Sequence, residues 1–140
     1  MILQRMLSIW VACFMLCTAS LTHAEDKISP NVVKGTETVD AQKAKSLFDR
    51  GVLFVDVRTG KDWDAGRIPG AEHIELNAKY SEDSLGKVAK KDQELVLYCN
   101  GPKCMRSSEA SEKAVAWGYS KVYYFRDGFP AWQGAGFPVE

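Results

Sequence analysis

The sequence predicts an α/β domain built on a mainly parallel sheet. Three observations carry this. Val52–Val55 is a continuous apolar run, the pattern of a strand covered on both faces. Glu94–Tyr98 and Lys121–Phe125 repeat the strand signature, the latter rich in Val and Tyr. Between these runs lie segments whose apolar residues recur at helical spacing, so strands and helices alternate along the chain.

Taken in order, residues 25–38 are polar with one proline and read as an extended lead-in; the domain is taken as 36–140, with 25–35 ahead of it. Asp40 caps a helix whose Ala41, Ala44, Leu47 and Phe48 share one face, and Gly51 ends it. The strand from Val52 runs into Asp56-Val57-Arg58. Thr59-Gly60 opens a loop, and Gly66 to Ala71 forms another with a Pro69-Gly70 turn. Glu72–Leu76 is a short strand, and residues 77–91, rich in lysine, are loop with a short helix. The strand Glu94–Tyr98 leads directly into a loop from Cys99 to Arg106. Ser107–Trp117 is helical, with Ala110, Ala114 and Trp117 on one face and Gly118 at its end. The strand to Phe125 is followed by a short helix from Asp127, and Gly134 to Pro138 closes the chain. Trp63, Trp117, Trp132, Tyr123 and Tyr124 are expected in the core and pocket wall.

A length of 140 residues suits one domain, and a formal net charge of zero excludes binding to nucleic acid or an anionic membrane by bulk charge. The N-terminus reads as a leader rather than as part of the fold. Arg5 is the only charge before His23 and Glu25, a short apolar stretch follows over Met6–Cys17, and small and polar residues end at Thr22-His23-Ala24. Residues 1–24 are therefore expected to be a signal peptide cut after Ala24, which places the protein in a periplasm or outside the cell with no membrane attachment after cleavage. The apolar run is too short for a comfortable membrane span. Beyond Ala24 the cysteines are Cys99 and Cys104 and the histidine is His73. That set makes neither a disulfide framework nor a metal site.

Four segments resemble a known family: Asp56-Val57-Arg58; Gly66-Arg67-Ile68-Pro69-Gly70-Ala71; Tyr98-Cys99 opening a loop to Arg106-Ser107; and Asp127-Gly128-Phe129-Pro130-Ala131-Trp132 with a late Gly136-Phe137-Pro138-Val139. In this order they look like a single-domain rhodanese, a resemblance that covers residues 36–140. It implies an open parallel sheet flanked by helices on both faces. It also implies a sulfurtransferase: a cysteine takes the outer sulfur of a donor such as thiosulfate, becomes a persulfide, and passes the sulfur to a thiol, to cyanide or to a partner protein. Such chemistry needs no metal and no redox cofactor. Two departures stand out. Arg67 occupies a position where the family usually has His. Six residues, Asn100 to Met105, separate Cys99 from Arg106, more than in family sulfurtransferases and more than in the rhodanese-fold phosphatases and arsenate reductases.

A loop leaving a parallel strand and entering a helix lies where α/β sheets bind ligands. Its amides and the positive helix end hold anions and lower a cysteine pKa. Cys99 stands where the family has its nucleophile. Cys104 is read as an alternative nucleophile, as a resolving thiol, as a packing residue, or as the disulfide partner of Cys99. Asn100, Gly101, Lys103 and Arg106 are the candidates for the anion-binding loop. Arg106 either holds sulfonate oxygens or pairs with Glu109, and Lys103 either adds to the cradle or is simply solvated. Asp56 and Arg58 are expected to fix the surrounding loops rather than to touch substrate, and His73 is a poor candidate for a general base. Set against the sulfurtransferase are a sulfur-carrier or binding module, a Cys99/Cys104 thiol redox protein, a phosphatase or arsenate reductase disfavoured by the loop spacing, and an inactive domain used for protein contacts.

Overall fold

The computed structural model describes residues 25–140. The leader expected over 1–24, with its cut after Ala24, lies outside the described residues. Among these residues five strands, β1 (Thr36–Thr38), β2 (Leu53–Asp56), β3 (Glu72–His73), β4 (Leu95–Tyr98) and β5 (Val122–Phe125), form one sheet in the order β1-β5-β4-β2-β3. Every pairing in it is parallel. The helices are α1 (Ala41–Asp49), α2 (Gly60–Ala65), α3 (Glu82–Gly86), α4 (Arg106–Ala116) and α5 (Gly128–Gly134).

Alternation along the strands divides the core in two. Phe54, Val96, Tyr98 and Phe125 face Ala44 and Leu47 of α1 and Phe129 and Trp132 of α5. Val55, Leu95, Leu97 and Cys99 face Leu85 of α3 and Ala110 and Ala114 of α4. Helices thus cover both faces of an open parallel sheet, as the sequence predicts. Each fully buried Leu or Phe contributes about 1.5–3 kcal/mol of transfer free energy, which explains why the central strands are apolar throughout. Trp132 and Tyr124 are completely buried, whereas Trp63, Trp117 and Tyr123 are half-buried.

The predicted helix after Asp40 is present: the Asp40 carboxylate accepts from the Lys43 amide at 2.8 Å, and Gly51 takes φ +78° beyond the end. Two expectations are corrected. Thr59-Gly60 opens helix α2 rather than a loop: the Thr59 hydroxyl caps it, accepting from the Asp62 amide, and a glycine in the first turn does not break a helix already capped. The strand expected over Glu72–Leu76 is confined to Glu72–His73, because Ile74 and Leu76 donate to Asp56 and Val57 at the end of β2 and the chain then turns about the Glu75 carbonyl. Three residues of the polar stretch, Thr36–Thr38, form the edge strand β1 against β5.

Parallel pairing puts every strand's carboxyl end at one edge. The register aligns Asp56, Tyr98 and Phe125, so the segments that follow β2, β4 and β5 meet around the first residue after the central strand, Cys99.

Candidate active site

Cys99 follows β4 directly, and its residue is fully buried. The loop beyond it is fastened carbonyl by carbonyl. The Cys99 carbonyl accepts from the Phe129 amide at 2.8 Å, the Gly101 carbonyl from the Cys104 amide at 2.9 Å, and the Pro102 carbonyl from the Ser29 amide at 2.7 Å. Gly128, at φ +61°, lets the start of α5 lie against this loop; a Cβ there would collide with the Cys99 carbonyl. Ser29 is itself held, because Arg126 donates to its carbonyl through Nε and Nη2 at 3.2 and 2.9 Å. The lead-in therefore lies on the cysteine loop.

Cys99 and Cys104 are joined by a disulfide, with their Cα atoms 6.4 Å apart. The pairing is one of the alternatives the sequence leaves open, and the thiolate expected at Cys99 belongs to the reduced protein. A cleft of about 490 Å³ opens beside the bond, lined by Leu76, Asn100, Lys103, Cys104, Arg106 and Glu109 among others. Cys104, and not Cys99, forms its wall.

Asp56 and Arg58 form a buried pair. Arg58 Nε and Nη2 lie 3.0 and 2.7 Å from Asp56 Oδ2, and Nη2 also donates to the Gly66 carbonyl at 2.7 Å. The guanidinium packs over the Phe129 ring, 4.4 Å from its centroid. Its remaining arm, Nη1, donates to the Asn100 side-chain oxygen at 3.3 Å, and the Asn100 amide nitrogen donates to Asp62 at 3.0 Å. Asn100 thus ties the loop to its neighbours through Oδ1 and one Nδ2 hydrogen, while its second N–H remains and the residue lines the cleft. Asp62, absent from the sequence-based candidates, completes the network. Burial pushes its carboxyl up, but hydrogen bonds from Thr59 and Asn100 and the charges of Arg58 and Arg106 outweigh this and leave it below the ordinary value. Burial, with the Asp56 charge, pushes the Tyr98 phenol well up, so it stays neutral while accepting from the Ile68 amide.

The opposite wall differs. Helix α4 begins at Arg106, and Met105 at its cap offers no side-chain hydrogen bond. The positive end of the helix therefore meets the cleft without a cap from Met105, with Arg106 and the first-turn Glu109 both in the lining. Arg106 makes no ion pair with Glu109 among the described residues, and its Nε is buried without a partner, as is the Ser107 hydroxyl. Lys103 is mostly exposed, 3.8 Å from an equally exposed Asp26. His73 stands apart from the loop, stacked on Trp63 at 4.8 Å with Nε2 against the Arg58 carbonyl.

The model of the rhodanese-like domain matches residues 40–135. The chain belongs to the rhodanese-like family. Within it, the chain is 32% identical over 121 residues to the protein HIGH ARSENIC CONTENT 1, mitochondrial, of Arabidopsis thaliana, covering 80% of this chain and 70% of that one. It is 32% identical over 95 residues to the thiosulfate sulfurtransferase GlpE of Pseudoalteromonas translucida, covering 68% and 86%. In further relatives the matched part is only 24–38% of a longer protein. A solved protein of Bacillus halodurans has the same fold, with TM-score 0.66 and 27% identity over 74% of this chain and 76% of the other. This rhodanese-like domain is thereby related to thiosulfate sulfurtransferases.

Proposed function

We propose that the protein is a sulfurtransferase that moves sulfane sulfur from thiosulfate or a persulfide donor to a thiophilic acceptor through a persulfide on Cys99. The observation that carries this reading is the placement of Cys99: it directly follows the central strand of a rhodanese-like sheet, at the edge where three strand ends meet, next to a cleft with Arg106 in its wall. The donor's anionic end lies in the cleft against Arg106 and the first-turn amides of α4, while Lys103 adds positive charge at the rim. The reduced Cys99 thiolate attacks the outer sulfur of thiosulfate; the sulfur–sulfur bond of the donor breaks and sulfite leaves with the bonding pair. A thiol, cyanide or a partner protein then removes the bound sulfur. Asp56, Arg58 and Asp62 hold the loop through Asn100. None of these steps requires a metal or cofactor.

Steady-state transfer from thiosulfate to cyanide, read as thiocyanate, tests the assignment. Activity in the reduced protein and its loss in Cys99→Ser supports it; full activity in Cys99→Ser contradicts it. The Cys99–Cys104 bond also favours a second reading, dithiol–disulfide exchange by the loop itself. The leader-like residues 1–24 support export to a periplasm or the exterior, with removal after Ala24; the N-terminal residue of the protein recovered from cells decides this.

A further inference from the structure

Building on the sulfurtransferase reading, we infer that Cys104 resolves the Cys99 persulfide, so that the loop discharges its sulfur as sulfide and is reset by a dithiol. Three observations support this. The disulfide shows that Cys104 Sγ reaches bonding contact with Cys99 Sγ, the inner sulfur of any persulfide formed there, on a backbone already folded for it by the Gly101–Cys104 turn. Cys104 lines the cleft where the donor would lie, five residues from the buried Cys99, so its thiol is held beside the sulfur that Cys99 receives. Lys103 and Arg106 flank the same cleft and favour departure of an anion.

The Cys104 thiol gives up its proton and its sulfur attacks Cys99 Sγ. The bond from Cys99 Sγ to the outer sulfur breaks, and that sulfur leaves as hydrosulfide with the electron pair and the proton. The two cysteines are oxidised to the disulfide and the sulfane sulfur is reduced to sulfide. To reset the loop, a thiolate of an external dithiol attacks Cys104 Sγ, the sulfur that borders the cleft, and expels Cys99 as a thiolate stabilised by the loop and the start of α4. The second thiol of the reductant then releases Cys104. Over a cycle, thiosulfate and a dithiol give sulfite, sulfide and the reductant's disulfide. The reductant class that resets the loop is therefore a dithiol, small or protein-borne, and cyanide competes with Cys104 for the persulfide.

The test uses the full protein, reduced and held without oxygen, with thiosulfate as the probe and no added thiol; sulfite, sulfide and intact mass are measured. The wild type is expected to release sulfite and sulfide in equal amounts, one of each per chain, and to end as the disulfide with no added sulfur. Cys104→Ser, with Cys104→Ala as a second variant against a folding artefact, is expected to release sulfite, produce no sulfide, and remain heavier by one sulfur. With dithiothreitol present, the wild type is expected to turn over about tenfold faster than with a monothiol at equal thiol concentration, because the second attack is intramolecular. A wild type that keeps the added sulfur, a sulfur found on Cys104, or equal sulfide from the Cys104 variants would overturn the inference while leaving sulfur transfer standing. Absence of sulfite from every form would overturn the transfer reading and this inference together.

Discussion

On the β2 side of the cysteine loop, Asp56, Arg58, Asn100 and Asp62 are joined into a chain of hydrogen bonds of 2.7–3.3 Å, and the buried charges neutralise one another. On the α4 side, the Arg106 Nε and the Ser107 hydroxyl are buried with no partner, and the helix begins without a side-chain cap. An unpaired buried polar group costs about 1–3 kcal/mol, and of the four such side-chain atoms among the described residues three, on Arg106, Ser107 and Ser111, belong to α4, the fourth being the Ser29 hydroxyl of the lead-in. The difference assigns the two walls different duties. The paired wall fixes the loop; in the proposed transfer the other wall, through Arg106 in the cleft lining, meets the donor's anion. The cysteines span the two, with Cys99 buried just beyond β4 and Cys104 at the cleft.

Breaking the paired wall has the largest effect. Arg58→Ala leaves Asp56 fully buried without its counter-charge, and unfolding in urea is expected to show a loss of about 3–5 kcal/mol. On the unpaired wall the outcome is reversed. Arg106→Ala removes no ion pair among the described residues, so stability changes by less than about 1 kcal/mol. Sulfur transfer from thiosulfate (kcat/KM) falls roughly 10–100-fold through loss of a charge-assisted hydrogen bond worth about 1.5–3 kcal/mol. If Arg106→Ala instead unfolds the protein while transfer per folded molecule is unchanged, the division between walls is wrong.

The smallest effect sharpens the paired wall. The Asp62 carboxyl titrates below its ordinary value of 3.8 in the folded protein. A depressed carboxylate contributes stability that is fully present above its unfolded pKa and is lost as pH falls through the folded value. Asp62→Asn is therefore expected to lower stability in the neutral region, where the carboxylate's contribution is complete, and to flatten the acid limb of the stability–pH curve below 3.8, where the wild type loses that same contribution. An unaltered acid limb would mean that the carboxylate gains nothing from Thr59 and Asn100.

The parts legible in the sequence are those with local causes. The apolar runs of β2, β4 and β5 announce strands buried on both faces. Asp40 and Gly51 bracket α1, and a cysteine directly after the central strand marks the candidate site. Helix α2 was obscured because Gly60 looks like a breaker, although the Thr59 and Asp62 spacing is a capping signal. The clamp on Asn100 joins residues separated by 42 and 38 positions, a distance that no local pattern encodes. The lead-in's grip on Pro102 depends likewise on Arg126 at the far end of the chain. Which cysteine borders the cleft is set by packing of Cys99 against α4 and the sheet, since the spacing of five residues alone is compatible with either.

The most direct test of the central claim is the mass of the protein after reduction and treatment with thiosulfate, read on intact chains and on the peptide carrying the loop. Cys104→Ser is expected to gain one sulfur on Cys99, and Cys99→Ser to gain none. A gain that persists in Cys99→Ser and sits on Cys104 would contradict it, and would move the reacting sulfur from the end of the central strand to the wall of the cleft.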